Sequence, residues 1–168
     1  MAAMVIEMNI PVYSPAELMK KFLDEIYPSL FTKSAELISL AVRLSCTNTE
    51  NDPAVTAEKI FRETDALYQK EKLVLFPFIA GLLRDGKKSE SCAPFKNVKL
   101  HYTALLSLIQ AMRAELKEIP GEEKAVMALS AGMDAFEKTL IHLQKTKDQY
   151  LFGPLRSCSG CTKLKVES

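Results

Sequence analysis

The sequence predicts an all-α fold, an antiparallel up-down-up-down four-helix bundle. Three observations lead there. Four long segments carry apolar residues at helical spacing, short polar or Pro/Gly connections separate them, and cap residues stand where helices should begin. A chain of 168 residues suits one domain with a sizeable core. We divide it into an extended N-terminal arm (1–13), the bundle (14–155) and a C-terminal tail (156–168).

The first helix opens at Ser14-Pro15-Ala16-Glu17, a capping box with proline at the first helical position. Its stripe runs Leu18/Met19, Phe22/Leu23, Ile26/Tyr27, Leu30/Phe31, Leu37/Ile38, Ala41, Leu44, and Pro28 inside it should kink the helix or free a carbonyl. Asp52-Pro53 starts the second helix, whose stripe reads Ala57, Ile60/Phe61, Thr64, Leu67, Glu71, Val74/Leu75, Phe78, Leu82 until Arg84-Asp85-Gly86 stops it. The third begins near Pro94 and should bury Val98, Tyr102, Leu105, Ile109, Met112 and Leu116 before the corner at Ile119-Pro120-Gly121. The fourth, from about Glu122, carries Leu129, Met133, Phe136, Leu140, Leu143, Lys147 and Leu151, with Gly153-Pro154 expected to end it. Short connections make the up-down-up-down course the simplest packing.

Composition narrows the function classes. Lys+Arg 22 against Asp+Glu 21 gives a net charge of +1 with no basic block, so a nucleic-acid partner is not expected. No apolar run reaches the roughly 20 residues that span a bilayer, so no membrane partner is expected. The opening residues lack a cationic head and Glu7 interrupts their apolar run, so a cytoplasmic protein is the expectation. No phosphate loop or Ser/His/Asp arrangement is present.

Two core stripes are each broken by one charge, at matching places. The second helix reads Leu67, Glu71, Leu75-Phe76; the fourth reads Leu143, Lys147, Leu151-Phe152. A charge on an apolar face is costly unless paired or bound to metal. Glu71 and Lys147 are therefore expected to neutralise each other across the bundle axis, with Tyr27 and Tyr102 supplying hydroxyls at comparable heights. In the alternative, Lys147 snorkels to water and Glu71 lies at the edge of its stripe.

Glu71-Lys72-Leu73-Val74-Leu75-Phe76-Pro77-Phe78-Ile79 resembles the Glu-x-x-(Ile/Val)-Leu-Phe-Pro-x-Ile signature of the hemerythrin-like proteins, most closely their repair-of-iron-centres branch. The likeness runs from about Leu18 to Leu155, with Tyr150-Leu151-Phe152 as the second copy and Pro154 displaced by one. The resemblance implies a bundle holding two irons through histidines from all four helices and two bridging glutamates, each preceded four residues earlier by a histidine. Carried over, those histidines fall on Leu67 and Leu143, and the bridging glutamates on Glu71 and Lys147. The first-helix histidine falls on Tyr27 and the third-helix one on Tyr102, with His101 adjacent. A counterpart of the branch's cysteine-containing N-terminal segment is not expected in this chain.

Three functional expectations follow. The first is a bundle that has lost its di-iron site, uses no cofactor and serves a non-catalytic binding or regulatory role toward a protein or small molecule. The second keeps iron, in a rebuilt site drawing on Glu71, His101, Tyr27 and Tyr102. The third is thiol redox at the tail, through Cys158 and Cys161 of a C-x-x-C. A four-cysteine metal site with Cys46 and Cys92 is not expected, since Cys46 lies at the opposite end of the bundle, about 30 helical residues or on the order of 45 Å away. His142 is read as a helix residue beside the core stripe.

Overall fold

The computed structural model describes residues 13–44, 52–89, 91, 93–117, 119 and 123–155. These residues form four helices and no strand: the first spans 15–42, the second 53–84, the third Ala93–Leu116 and the fourth 123–155. The structure is all-α, and no described helix is long and apolar enough to cross a membrane. The proposed N-terminal arm, apart from Tyr13, and the C-terminal tail with Cys158 and Cys161 lie outside the described residues, as do Cys46 and Cys92.

The helix starts are fixed locally. The Ser14 hydroxyl accepts from the Glu17 amide at 3.3 Å, and the Glu17 carboxylate accepts from the Ser14 amide at 2.8 Å, so both halves of the capping box form. Asp52 accepts from the Ala54 amide at 2.8 Å and Pro53 follows it. The second helix ends in a Schellman turn. Lys87 donates to the Leu82 carbonyl and Gly86 to that of Leu83, with Gly86 at φ 62°, a left-handed conformation that a side chain disfavours.

Three of the four helices are not uniformly α. Each contains one π-helical turn, at Phe22–Ile26, Glu71–Leu75 and Asp148–Phe152. In each, the next residue's amide reaches back five residues, from Tyr27 to Phe22, from Phe76 to Glu71 and from Gly153 to Asp148. A proline comes immediately afterwards, at Pro28, Pro77 and Pro154. Proline lacks an amide and its ring presses on the carbonyl four residues before it; the widened turn relieves that clash without ending the helix. Gly153-Pro154 therefore does not stop the fourth helix as expected, and helical structure continues through Leu155.

The wide turns also reset which residues face inward. Ile26 and Tyr27, Leu75 and Phe76, and Leu151 and Phe152 are adjacent pairs with both members buried. The expected stripe beyond Glu71 is Val74/Leu75, Phe78 and Leu82; Leu75 is buried as expected, but it is joined by Phe76 and Ile79, while Val74 is half exposed and Phe78 and Leu82 are partly covered. The extra residue in the turn advances the stripe by one position. The third helix has no such turn, and all six of its expected core residues are buried, together with Phe95.

The first helix packs against the second and the fourth, and the third against the second and, more lightly, the fourth. Gly132 brings the first and fourth together: a Cβ there would stand 3.0 Å from a Leu37 methyl. The Ser89 amide bonds to the Leu155 carbonyl at 2.8 Å, fastening the connection after the second helix to the end of the fourth. One core of leucine, isoleucine and aromatic side chains runs through all four helices.

A buried lysine–glutamate cluster as candidate functional site

Each helix delivers one polar side chain to a single point in the core: Tyr27 from the first, Glu71 from the second, Tyr102 from the third, Lys147 from the fourth. Glu71 and Lys147 are both 0% exposed, so snorkelling is not what Lys147 does. The π turns set this geometry. Tyr27 directly follows the first, Glu71 opens the second, and Lys147 directly precedes the third.

The lysine ammonium has three hydrogens and meets three acceptors. It donates to the Glu71 carboxylate through Oε2, to the Tyr27 hydroxyl at 3.2 Å and to the Tyr102 hydroxyl at 3.1 Å. Tyr102 in turn donates to the second carboxylate oxygen, Oε1, at 3.4 Å. Both charges are thus neutralised and hydrogen-bonded, the condition under which an ion pair survives desolvation.

Aromatic rings enclose the rest of the ammonium. Its nitrogen lies 4.7 Å from the centre of the Tyr27 ring, 5.0 Å from Phe22, and 5.7 Å from both Phe76 and Tyr102. Their electron-rich faces add cation–π attraction in a desolvated setting, worth about 2 kcal/mol for a favourable contact. Phe22 opens the first π turn and Phe76 closes the second, so the turns place two of the four cage walls.

The surroundings shift the titrations in consistent directions. Burial pushes the Lys147 ammonium below its usual range, while the charge and hydrogen bond of Glu71 oppose the loss of its proton. Burial, reinforced by the Glu71 charge, holds the Tyr27 and Tyr102 phenols well above their usual range, so both remain neutral hydroxyls.

The neighbouring candidates sort clearly. Leu67 and Leu143 are buried apolar side chains four residues before Glu71 and Lys147, and offer no ligand atom. Tyr102, not His101, points into the core. His101 turns to the flank of the bundle, where its Nδ1 lies 2.6 Å from Glu63 Oε1, rather than joining the hydrogen bonds among Tyr27, Glu71, Tyr102 and Lys147. His142 is exposed. Among the described residues no group of three or more His, Cys, Asp or Glu side chains stands together as a metal site.

A di-iron pair does not fit this donor set. The two positions that the resemblance assigns to histidines are the leucines Leu67 and Leu143, the Glu71 carboxylate has both oxygens engaged, and the cation Lys147 sits where the resemblance would put a second bridging carboxylate. An ammonium in that place repels incoming metal ions.

The sequence patterns missed Phe22 and Phe76 as cage walls, and all three π turns. A signal existed: Ile26-Tyr27-Pro28 and Leu75-Phe76-Pro77 repeat one aliphatic–aromatic–proline pattern, and Leu151-Phe152-Gly153-Pro154 varies it by one inserted glycine. No family model matches the chain, and neither the curated proteins nor the solved structures yield a match.

Proposed function

We propose that this protein is a hemerythrin-like bundle in which a lysine–glutamate pair has taken over the stabilising task of a di-iron centre, leaving a cytoplasmic, non-catalytic protein that works by binding a protein or small molecule. The observation that carries the reading is the fully buried Lys147 ammonium, with all three hydrogens on partners from the other three helices. In a metal-bearing bundle of this type the ions supply positive charge at the axis and the helices converge on them. Here one ammonium supplies the charge and the convergence. The repeat Leu67/Glu71/Leu75-Phe76 and Leu143/Lys147/Leu151-Phe152, each with its π turn, supports a shared origin for the second and fourth helices.

The up-down-up-down course belongs to the same reading. It is supported by two widely spaced contacts between the second and third helices, Thr56 with Glu115 and, farther along the second helix, Glu71 with Tyr102, whose partners run in the opposite sense.

Anaerobic loading of purified protein with ferrous iron, followed by oxidation, tests the proposal. The expected outcome is colourless protein with no bound metal. A second reading, a rebuilt iron site on Tyr27, Tyr102 and Glu71, draws on the convergence of these side chains at one point. It requires Lys147 to swing away and predicts the strong visible absorption of tyrosinate–iron(III).

A further inference from the structure

Glu71 and Lys147 hold the two functional groups of an amide bond against each other in a site closed to water. We propose that they condense to an isopeptide linkage, an internal modification joining the second helix to the fourth through side chains 76 residues apart in sequence. The inference uses the same cluster as the proposed function but asks for chemistry that reading does not require.

The cluster provides what such a condensation needs. The nitrogen and carboxyl group are in direct contact and immobilised by burial, so the encounter is intramolecular and its entropy cost is met by folding. The rings of Phe22, Tyr27, Phe76 and Tyr102 around the nitrogen keep the medium apolar. The reacting form is the neutral amine beside the neutral acid, reached when the ammonium proton passes to Oε2 along the hydrogen bond already made, and burial lowers the proton affinity of Lys147 in that direction. The Tyr102 hydroxyl, donating to Oε1 at 3.4 Å, is placed to hold the oxyanion of a tetrahedral intermediate.

The step balances without an oxidant or co-reactant. The Lys147 nitrogen lone pair attacks the Glu71 carboxyl carbon, forming the C–N bond and placing negative charge on Oε1. A proton passes from the nitrogen to the Oε2 hydroxyl, the C–Oε2 bond breaks, and Oε2 leaves as water while the Oε1 carbonyl re-forms. The product exchanges two buried charges for one neutral amide, whose oxygen still accepts from Tyr102 and whose N–H faces the Tyr27 hydroxyl. That exchange lowers the desolvation cost of the core.

Intact-mass measurement of the denatured full-length chain, after prolonged incubation in the folded state, reads the outcome. The expected result is a mass short by one water, with a branched peptide after proteolysis linking the segments that carry Glu71 and Lys147. The Lys147→Met/Glu71→Leu double variant should keep its full mass, and Tyr102→Phe should slow the loss of water while the helical circular dichroism signal is retained. A wild-type chain that keeps its full mass, or loses water at other residues, overturns the linkage. Metal content read on the same sample separates the two ideas: unmodified, metal-free protein leaves the charge-pair reading standing, and metal-loaded protein removes both.

Discussion

Two charged contacts among the described residues, one at Arg113 and one at Lys147, tie the fourth helix to its neighbours, and they sit in opposite surroundings. Arg113 of the third helix bonds to Asp134 at 2.7 Å and Glu137 at 2.6 Å, with Asp134 more than half exposed. Lys147 bonds to Glu71 with neither side chain reaching solvent. At the first, water reaches the Asp134 contact and salt screens the cluster, so good geometry adds little. In the second no solvent replaces a lost partner, so the pair matters chiefly through what happens when half of it is removed. The same kind of bond is incidental at the flank and decisive at the axis.

Single truncation of the buried pair should give the largest effect. Lys147→Ala leaves the Glu71 carboxylate in an apolar cage and should cost about 3–5 kcal/mol in chemical denaturation. Lys147→Met/Glu71→Leu, which removes both charges and refills the space, should come much closer to wild type. If the single and double variants lose equally little, the charges are solvated and the contrast with the flank pair collapses. The Lys147→Ala cavity also offers a sharper check: methylammonium, but not sodium, should restore part of the lost thermal stability, because the cage and carboxylate are built around an ammonium.

Tyr102→Phe comes next. It deletes an acceptor of Lys147 and the donor to Glu71 Oε1, and should cost about 1–3 kcal/mol. Tyr27→Phe removes an acceptor of Lys147 and should be milder. Stability measured across pH carries the same information. Phenols with raised folded-state values contribute stability that is full below the ordinary value of 10.0 and is lost as pH rises toward the folded one. The depressed Lys147 works in the opposite sense, adding stability as pH climbs from its lowered value toward 10.5. Above 10.5 the amine adds nothing further while the phenols still lose stability, so stability should fall there, and the Tyr27→Phe/Tyr102→Phe variant should show a flatter curve. The smallest effect belongs to the flank: Arg113→Ala should lose no more than about 1 kcal/mol, diminishing further in high salt.

The contrast also explains what could be read without coordinates. Glu71 and Lys147 stood out because a charge in an otherwise apolar stripe has few physical explanations, and Tyr27 and Tyr102 followed from their heights on the facing helices. Helix starts were legible from Ser14 and Asp52, whose side chains cap within two or three residues. The inward face beyond Glu71 is legible only as far as Leu75, because α-periodicity carried through a π turn puts Val74, Phe78 and Leu82 inside where Phe76 and Ile79 lie. Three helices continue past a proline because a wide turn precedes it, a local solution that a breaker rule applied residue by residue does not anticipate. The choice between His101 and Tyr102 turned on a one-residue rotation of the third helix, and only the packed neighbours decide it.

The central proposal is that the ammonium of Lys147 takes the place that a bridging carboxylate would have in an iron-bearing bundle. Elemental analysis of the wild-type chain beside a Leu67→His/Leu143→His/Lys147→Glu variant, both expressed in iron-rich medium and treated with chelator, tests it most directly. The account predicts a wild type without stoichiometric metal and a variant that retains iron. Near-stoichiometric iron or manganese in the wild type would contradict it.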